Sequence, residues 1–143
     1  MIRNRRKKLK IGDVYTISIP NGKYAFARTF NDACIAIYKH IGDTAEDIPS
    51  TEDYQFTVGV YKDILRSGQW PIVESRPFKN EEEAWPPPMC TIDPISGEYS
   101  IYHKGEFRAS SKTECEGFEE AAVWEAEHII DRIMGEDKWH LLF

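Results

Sequence analysis

Residues 10–39 decide the fold, and they read KIGDVYTISIPNGKYAFARTFNDACIAIYK. Apolar and polar side chains alternate over residues 14–19, 24–27 and 34–38, and a period of two is typical of β-strands. Asn21-Gly22 separates the first two runs, and this dipeptide is a strong signal for a tight hairpin turn. The stretch therefore predicts three antiparallel strands, near residues 13–19, 23–30 and 33–39.

Two more strands are predicted after a loop rich in turn-forming residues. Tyr54 to Leu65 alternates as a fourth strand, and Gly59 inside it indicates a bulge or a bend. Gln69 to Val73 gives a short fifth strand after a Ser67-Gly68 turn. Five short antiparallel strands fit a small open barrel or a strongly bent sheet.

The second half of the chain begins with a connector, Lys79 to Pro88, that contains three glutamates, Trp85 and three prolines. An exposed arm and a stiff segment packed along the barrel are both possible, and we favour the packed form because a lone exposed tryptophan leaves much apolar area in water. A hairpin is predicted next, followed by an amphipathic helix with a Thr113/Glu116 capping box. The predicted class is α+β: a mainly antiparallel, strongly bent sheet or small open barrel, a β-hairpin and one C-terminal amphipathic helix.

A length of 143 residues suits a single domain. We predict a mobile basic tail over residues 1–9 and one globular domain over residues 10–143. Within that domain the predicted parts are a barrel-like unit (10–78), the proline-rich connector (79–88), the hairpin (89–112) and the helix (113–135).

Charge divides the chain unevenly. The net charge is −6, but residues 1–10 hold six cations and no anion, so residues 11–143 carry 12 positive and 24 negative side chains, a net −12. A negative field of this size favours basic partners and disfavours nucleic acid over most of the surface. The basic tail can bind nucleic acid or an anionic membrane, or serve only as a solubilising terminus.

Reactive motifs are few. Cys34, Cys90 and Cys115 are widely spaced, which predicts free thiols in a reducing cytosol, and the histidines lack metal-ligand spacing. A catalytic pair of Cys115 with His128 stays open on sequence alone, although a buried structural cysteine is the commoner case. We predict no enzyme, no metal, no cofactor, no signal peptide and no membrane span.

Three stretches together resemble the immunity protein 26 family of bacterial polymorphic toxin systems. They are residues 10–39, the segment SGQWPIV, and WPPPMCTIDPISGEYSIYHKGEF leading into AAVWEAEHIIDRI. The resemblance spans roughly residues 10–134 and implies a mainly β or α+β fold, no catalysis, and binding to a cognate protein toxin. The family has no toxin-contact motif to transfer, and the basic tail is not part of its pattern.

The charge agrees with that implication, because an acidic inhibitor associates faster with a basic, nuclease-type toxin domain. The predicted contact residues are acids of the loop and the connector with two candidate aromatic anchors: Asp43, Glu46, Asp47, Glu52, Asp53, Tyr54, Glu81, Glu82, Glu83 and Trp85. Two alternatives remain: a nucleic-acid-binding or regulatory module that uses the tail, and a hydrolase or thiol enzyme. We expect a cytoplasmic monomer or homodimer.

Overall fold

A computed structural model describes residues 9–143. The predicted basic tail lies outside these residues except for Leu9, which packs against the main core. The described strands are β1 Asp13–Ser18, β2 Tyr24–Phe30, β3 Cys34–Tyr38, β4 Tyr54–Val60, β5 Ile72–Ser75, β6 Met89–Ile92, β7 Tyr99–His103, β8 Glu106–Ser110 and β9 Val123–Trp124. The α-helices are α1 Lys62–Arg66, α2 Lys112–Cys115 and α3 Ala126–Ile133.

The strands form two sheets. The larger has the order β5-β1-β2-β3-β4-β9, and β6, β7 and β8 form the smaller. Neighbouring strands are antiparallel except β4 and β9, which run parallel. The predicted α+β class is confirmed, and the larger sheet stays open along the described part of the chain.

The predicted three-strand unit is confirmed and forms the centre of the larger sheet. Gly22 has a φ of +78°, which glycine adopts without a Cβ clash, and Ser18 pairs with Tyr24 across the turn. Both faces of β1–β3 are buried. One face, which includes Ile17 and Ile35, lies in the main core, and the other packs in two smaller apolar clusters.

The fourth predicted strand is too long, because β4 ends at Val60 and α1 follows. Gly59 makes no bulge, since the irregularity in the β3–β4 pair lies beside Tyr38. A Cβ on Gly59 would lie 2.7 Å from the Ala122 carbonyl oxygen, so this glycine admits the backbone of β9. The fifth strand also begins later than predicted, at Ile72.

The predicted helix over residues 113–135 is wrong in its extent. Only α2 and α3 are helical, because Gly117, with a φ of +83°, turns the chain out of α2. Residues 118–124 are then extended and pair with Cys90 and with β4. Ser111 rather than Thr113 caps α2, and its hydroxyl accepts a hydrogen bond from the Glu114 N–H at 3.1 Å. The amphipathic character is kept in α3, where Ile129 is fully buried.

The prediction of three free thiols is also wrong. Cys90 and Cys115 form a disulfide that joins β6 to the end of α2, with Cα atoms 5.8 Å apart and a sequence separation of 25 residues. The disulfide could not be predicted, because the spacing of cysteines in sequence does not show which of them lie close together in space. Cys34 remains a free, buried thiol.

Candidate functional site

The acidic loop between β3 and β4, residues 39–53, is fastened to the larger sheet through Glu52. One of its carboxylate oxygens accepts hydrogen bonds from Arg28 Nη1 at 2.9 Å and from the Tyr54 hydroxyl at 3.0 Å. The Tyr38 hydroxyl donates to the same oxygen at 2.7 Å. The other oxygen accepts from Arg76 Nη1 at 2.8 Å. Glu52 is thus the centre of an ion-pair network that anchors the loop.

The network fixes the charge of Glu52. Burial alone would raise the pKa of this carboxyl, but hydrogen bonds from Tyr38 and Tyr54 and the charges of Arg28 and Arg76 outweigh it, and the pKa lies below its ordinary value. Burial, together with donation of its proton to Glu52, raises the pKa of Tyr38. Glu52 therefore acts inside the protein and is not an uncommitted anion for a partner.

We expect Glu52 to make the protein sensitive to acid. Because its pKa is lower in the folded than in the unfolded state, ionised Glu52 stabilises the fold above pH ~4.5, and that contribution is lost as the pH falls through the folded pKa. At pH ~7, Glu52→Gln should lower the free energy of unfolding by about 2 kcal/mol. This is less than the ~3–5 kcal/mol expected for breaking a fully buried pair, because the side chain is 40% exposed.

Urea denaturation at pH ~7 and pH ~3 measures this effect, and the difference between the two proteins should shrink at the lower pH. Glu46→Gln is the matched control, since Glu46 is exposed and has no partner in residues 9–143. Equal stability of wild type and Glu52→Gln at pH ~7 would contradict the role given to the network.

The other loop acids are mostly compensated at the surface. Asp43 pairs with Lys23, and Asp53 pairs with Lys39 at 3.4 Å. Asp47 faces His40, with 3.4 Å between the carboxylate and the ring nitrogen. Exposed pairs of this kind contribute little to stability and exchange partners readily.

The proline-rich connector packs against the larger sheet. Its centre is a 3₁₀ turn, Glu82–Ala84, and the Asn31 N–H donates to the Ala84 carbonyl at 2.8 Å. Ala84 and Pro86 are buried, and Trp85 is half-buried. Of the three glutamates, Glu82 pairs with Lys104 at 2.6 Å, whereas Glu81 and Glu83 have no side-chain partner among the described residues.

Two grooves flank the connector. One, of about 590 Å³, is lined by Trp85 and Glu81 together with Ile11 and Phe78. The other, of about 440 Å³, runs between Tyr54 and the prolines at positions 87 and 88. The structure therefore brings Tyr54, Glu81 and Trp85 to the two sides of one segment. The loop residues Asp43, Glu46 and Asp47 line neither groove.

Arg28 and Arg76 are essential parts of the loop anchor that the sequence prediction missed. The Arg28 side chain is only 9% exposed, and its guanidinium lies 3.7 Å from the Phe78 ring centroid. A signal was present, because an arginine inside an otherwise apolar strand requires a carboxylate partner. The sequence could not show that Glu52 is that partner.

The catalytic pair of Cys115 with His128 is wrong, since Cys115 is disulfide-bonded. Burial, followed by the nearby Asp32 carboxylate, raises the pKa of the Cys34 thiol to about 12, so the thiolate is scarce at neutral pH. Among residues 9–143, no three His, Cys, Asp or Glu side chains are grouped in a way that could hold a metal ion. No helix in the same range is long and apolar enough to cross a membrane.

Comparison with known proteins identifies the scaffold. No curated protein and no solved structure matches the chain. The family model of immunity protein 26 matches residues 10–101, from the residues before β1 into β7. This region includes the Glu52 network and the connector. It also includes Trp85 and Tyr54, which line one groove each. The match covers more than half of the sequence, and the chain therefore belongs to the immunity protein 26 family.

Proposed function

We propose that this protein binds a cognate toxin of a polymorphic or contact-dependent system and neutralises it in the bacterial cytoplasm. The observation that carries the proposal is the family match over residues 10–101. The charge supports a basic, nuclease-type toxin domain as the partner, because residues 11–143 carry a net −12 and a negative field accelerates association with a basic protein. Neutralisation by binding needs no catalytic group.

The proposed contact surface includes the loop and the connector. Its strongest members are Glu81, Glu83 and Trp85. The two glutamates have no side-chain partner within residues 9–143, and the tryptophan lines a groove. Glu46 is open in the same way. Asp43, Asp47, Asp53 and Glu82 would exchange weak surface pairs for toxin cations. Glu52 and Tyr54 act through the hydrogen-bond network that anchors the loop to the larger sheet.

We expect binding to depend strongly on salt. The association rate with the toxin domain encoded by the neighbouring gene should fall about 10-fold or more between about 50 mM and about 500 mM NaCl. The double variant Glu81→Gln/Glu83→Gln should associate more slowly at low salt and show a shallower dependence. Glu98→Gln, at the exposed β6–β7 turn, is the control with one charge removed elsewhere. An association rate indifferent to salt would remove the electrostatic part of the proposal.

The alternative function uses the basic cluster of residues 3–10, which the sequence places ahead of the acidic body. A nucleic-acid-binding module would retain nucleic acid at low salt and lose it when residues 1–8 are deleted. An immunity protein without those residues should still neutralise the toxin and should retain no nucleic acid. This single deletion therefore separates the two functions.

A further inference from the structure

Residues 139–143, here called the apolar strip, pack against the domain through the rings of His140 and Phe143. His140 stacks on Trp124 with 3.3 Å between ring centroids, and Phe143 packs edge-on against Tyr99 at 6.1 Å. Backbone hydrogen bonds join Phe143 to Phe118, and the Leu142 backbone bridges to that of Glu119. The strip is thus held in place by inward-facing contacts.

The remaining side chains of the strip face water. Trp139 is 61%, Leu141 52% and Leu142 67% exposed. The Trp139 ring lies nearly parallel to that of His128 on α3, at 13° and 4.8 Å, so it is held in one position. Leu141 and Leu142 line a groove of about 260 Å³. A prearranged aromatic beside exposed leucines has the composition of a protein interface core.

The chain around the strip carries much of the negative charge. Nine of the 24 acidic residues fall within residues 113–137, where Arg132 is the only basic residue, and Arg132 pairs with Glu119. Within the described part of the chain, five of the nine have no partner: Glu116, Glu125, Glu127, Asp131 and Glu136. These five charges are uncompensated, whereas four of the five acids in the loop over residues 39–53 have a cationic or histidine partner.

Two of these acids lie on α3, the helix that also carries His128. Glu127 and Asp131 are four residues apart, a spacing that places them on one helix face. His128, on which Trp139 stacks, borders that face. The helix therefore presents an aromatic ring and two carboxylates together.

The family match ends at residue 101, before α3 and the strip. The strip and the acidic face of α3 therefore lie outside the part of the chain that the family model matches.

We propose that the apolar strip and the acidic face of α3 dock the basic toxin, with Trp139 as the central anchor. This inference rests on the proposed function and adds the strip and α3 to the surface that contacts the toxin. A second copy of this chain is the poorer occupant, because a symmetric contact would press two uncompensated acidic faces together.

The test compares variants for binding to the toxin domain encoded by the neighbouring gene. Trp139→Ala should raise Kd by about 30-fold or more, mainly through faster dissociation. Leu142→Lys, which places a positive charge in the strip facing the basic toxin, should act in the same direction and serves where Trp139→Ala unfolds. Ile95→Ala is the control, since Ile95 is 96% exposed at the β6–β7 turn. Melting curves establish that each variant is folded.

The outcomes are separable. If the wild-type protein does not bind the toxin domain, the proposed function fails. If wild type binds and both strip variants bind equally well, only the assignment of this surface is overturned. If the variants abolish self-association in sedimentation experiments and leave toxin binding unchanged, the strip is a homodimer contact and the assignment is likewise overturned.

Discussion

Reduction of the Cys90–Cys115 disulfide should lower the free energy of unfolding by about 3.5 kcal/mol. The bond closes a loop with a sequence separation of 25 residues, and the loss of that constraint enlarges the unfolded ensemble by this amount in the chain-entropy treatment. For a domain of this size the melting temperature should fall by about 10 °C. The bond also lies in the apolar cluster that holds Phe118 and Phe143, so the apolar strip should loosen first.

Thermal melts with and without a reductant measure this effect. The double variant Cys90→Ala/Cys115→Ala should match the reduced protein and show no response to reductant, which isolates the bond from other consequences of the reagent. Equal melting of wild type in both conditions would contradict the prediction. A cytosol keeps most thiols reduced, so the cytoplasmic location proposed above requires the fold to tolerate this loss.

Gly12→Ala should cost about 3 kcal/mol of unfolding free energy. Gly12 has a φ of +95°, and a Cβ there would lie 2.6 Å from the Arg76 carbonyl oxygen. All three nearest atoms belong to the backbone of Arg76 and Pro77, so they cannot swing aside. The cost combines the left-handed strain with overpacking. The same carbonyl accepts a hydrogen bond from Arg28 Nε at 3.0 Å, so the Glu52 network should also be disturbed.

Gly22→Ala is the matched control. Gly22 also has a positive φ, +78°, but no atom lies within 4 Å of its ideal Cβ position. Its substitution should therefore cost only the backbone strain, about 1 kcal/mol. Chemical denaturation of both variants gives the comparison, and equal losses would show that the approach of Gly12 to Arg76 carries no energetic weight.

The sequence was sufficient for the central strands because local rules agree there. Gly22 takes the positive φ that the turn between β1 and β2 requires, and the alternation on either side sets the register of the two strands. The family match begins at the same segment, at residue 10, and extends to residue 101.

The errors arose where tertiary pairing overrides a local pattern. Residues 118–124 have helical spacing of apolar side chains, but in the structure they are extended, bridge to Cys90 through Glu120 and pair with β4 through Val123 and Trp124. The disulfide and the Arg28–Glu52 pair are long-range contacts that composition cannot reveal. The contact acids were predicted where acidic residues are frequent in the sequence. Only the structure shows which of them have an ion-pair partner, as Glu52 does, and which have none.

The parallel pairing of β9 with β4 has a consequence for synthesis on the ribosome. Trp124 is the largest fully buried side chain, and with Ile129 it fills the main core built by β1–β4. The central strands therefore leave the ribosome long before Trp124 and Ile129, which complete the main core. Contacts between residues so far apart in sequence make folding slow. We therefore expect the main core of nascent chains to stay open until α3 has emerged.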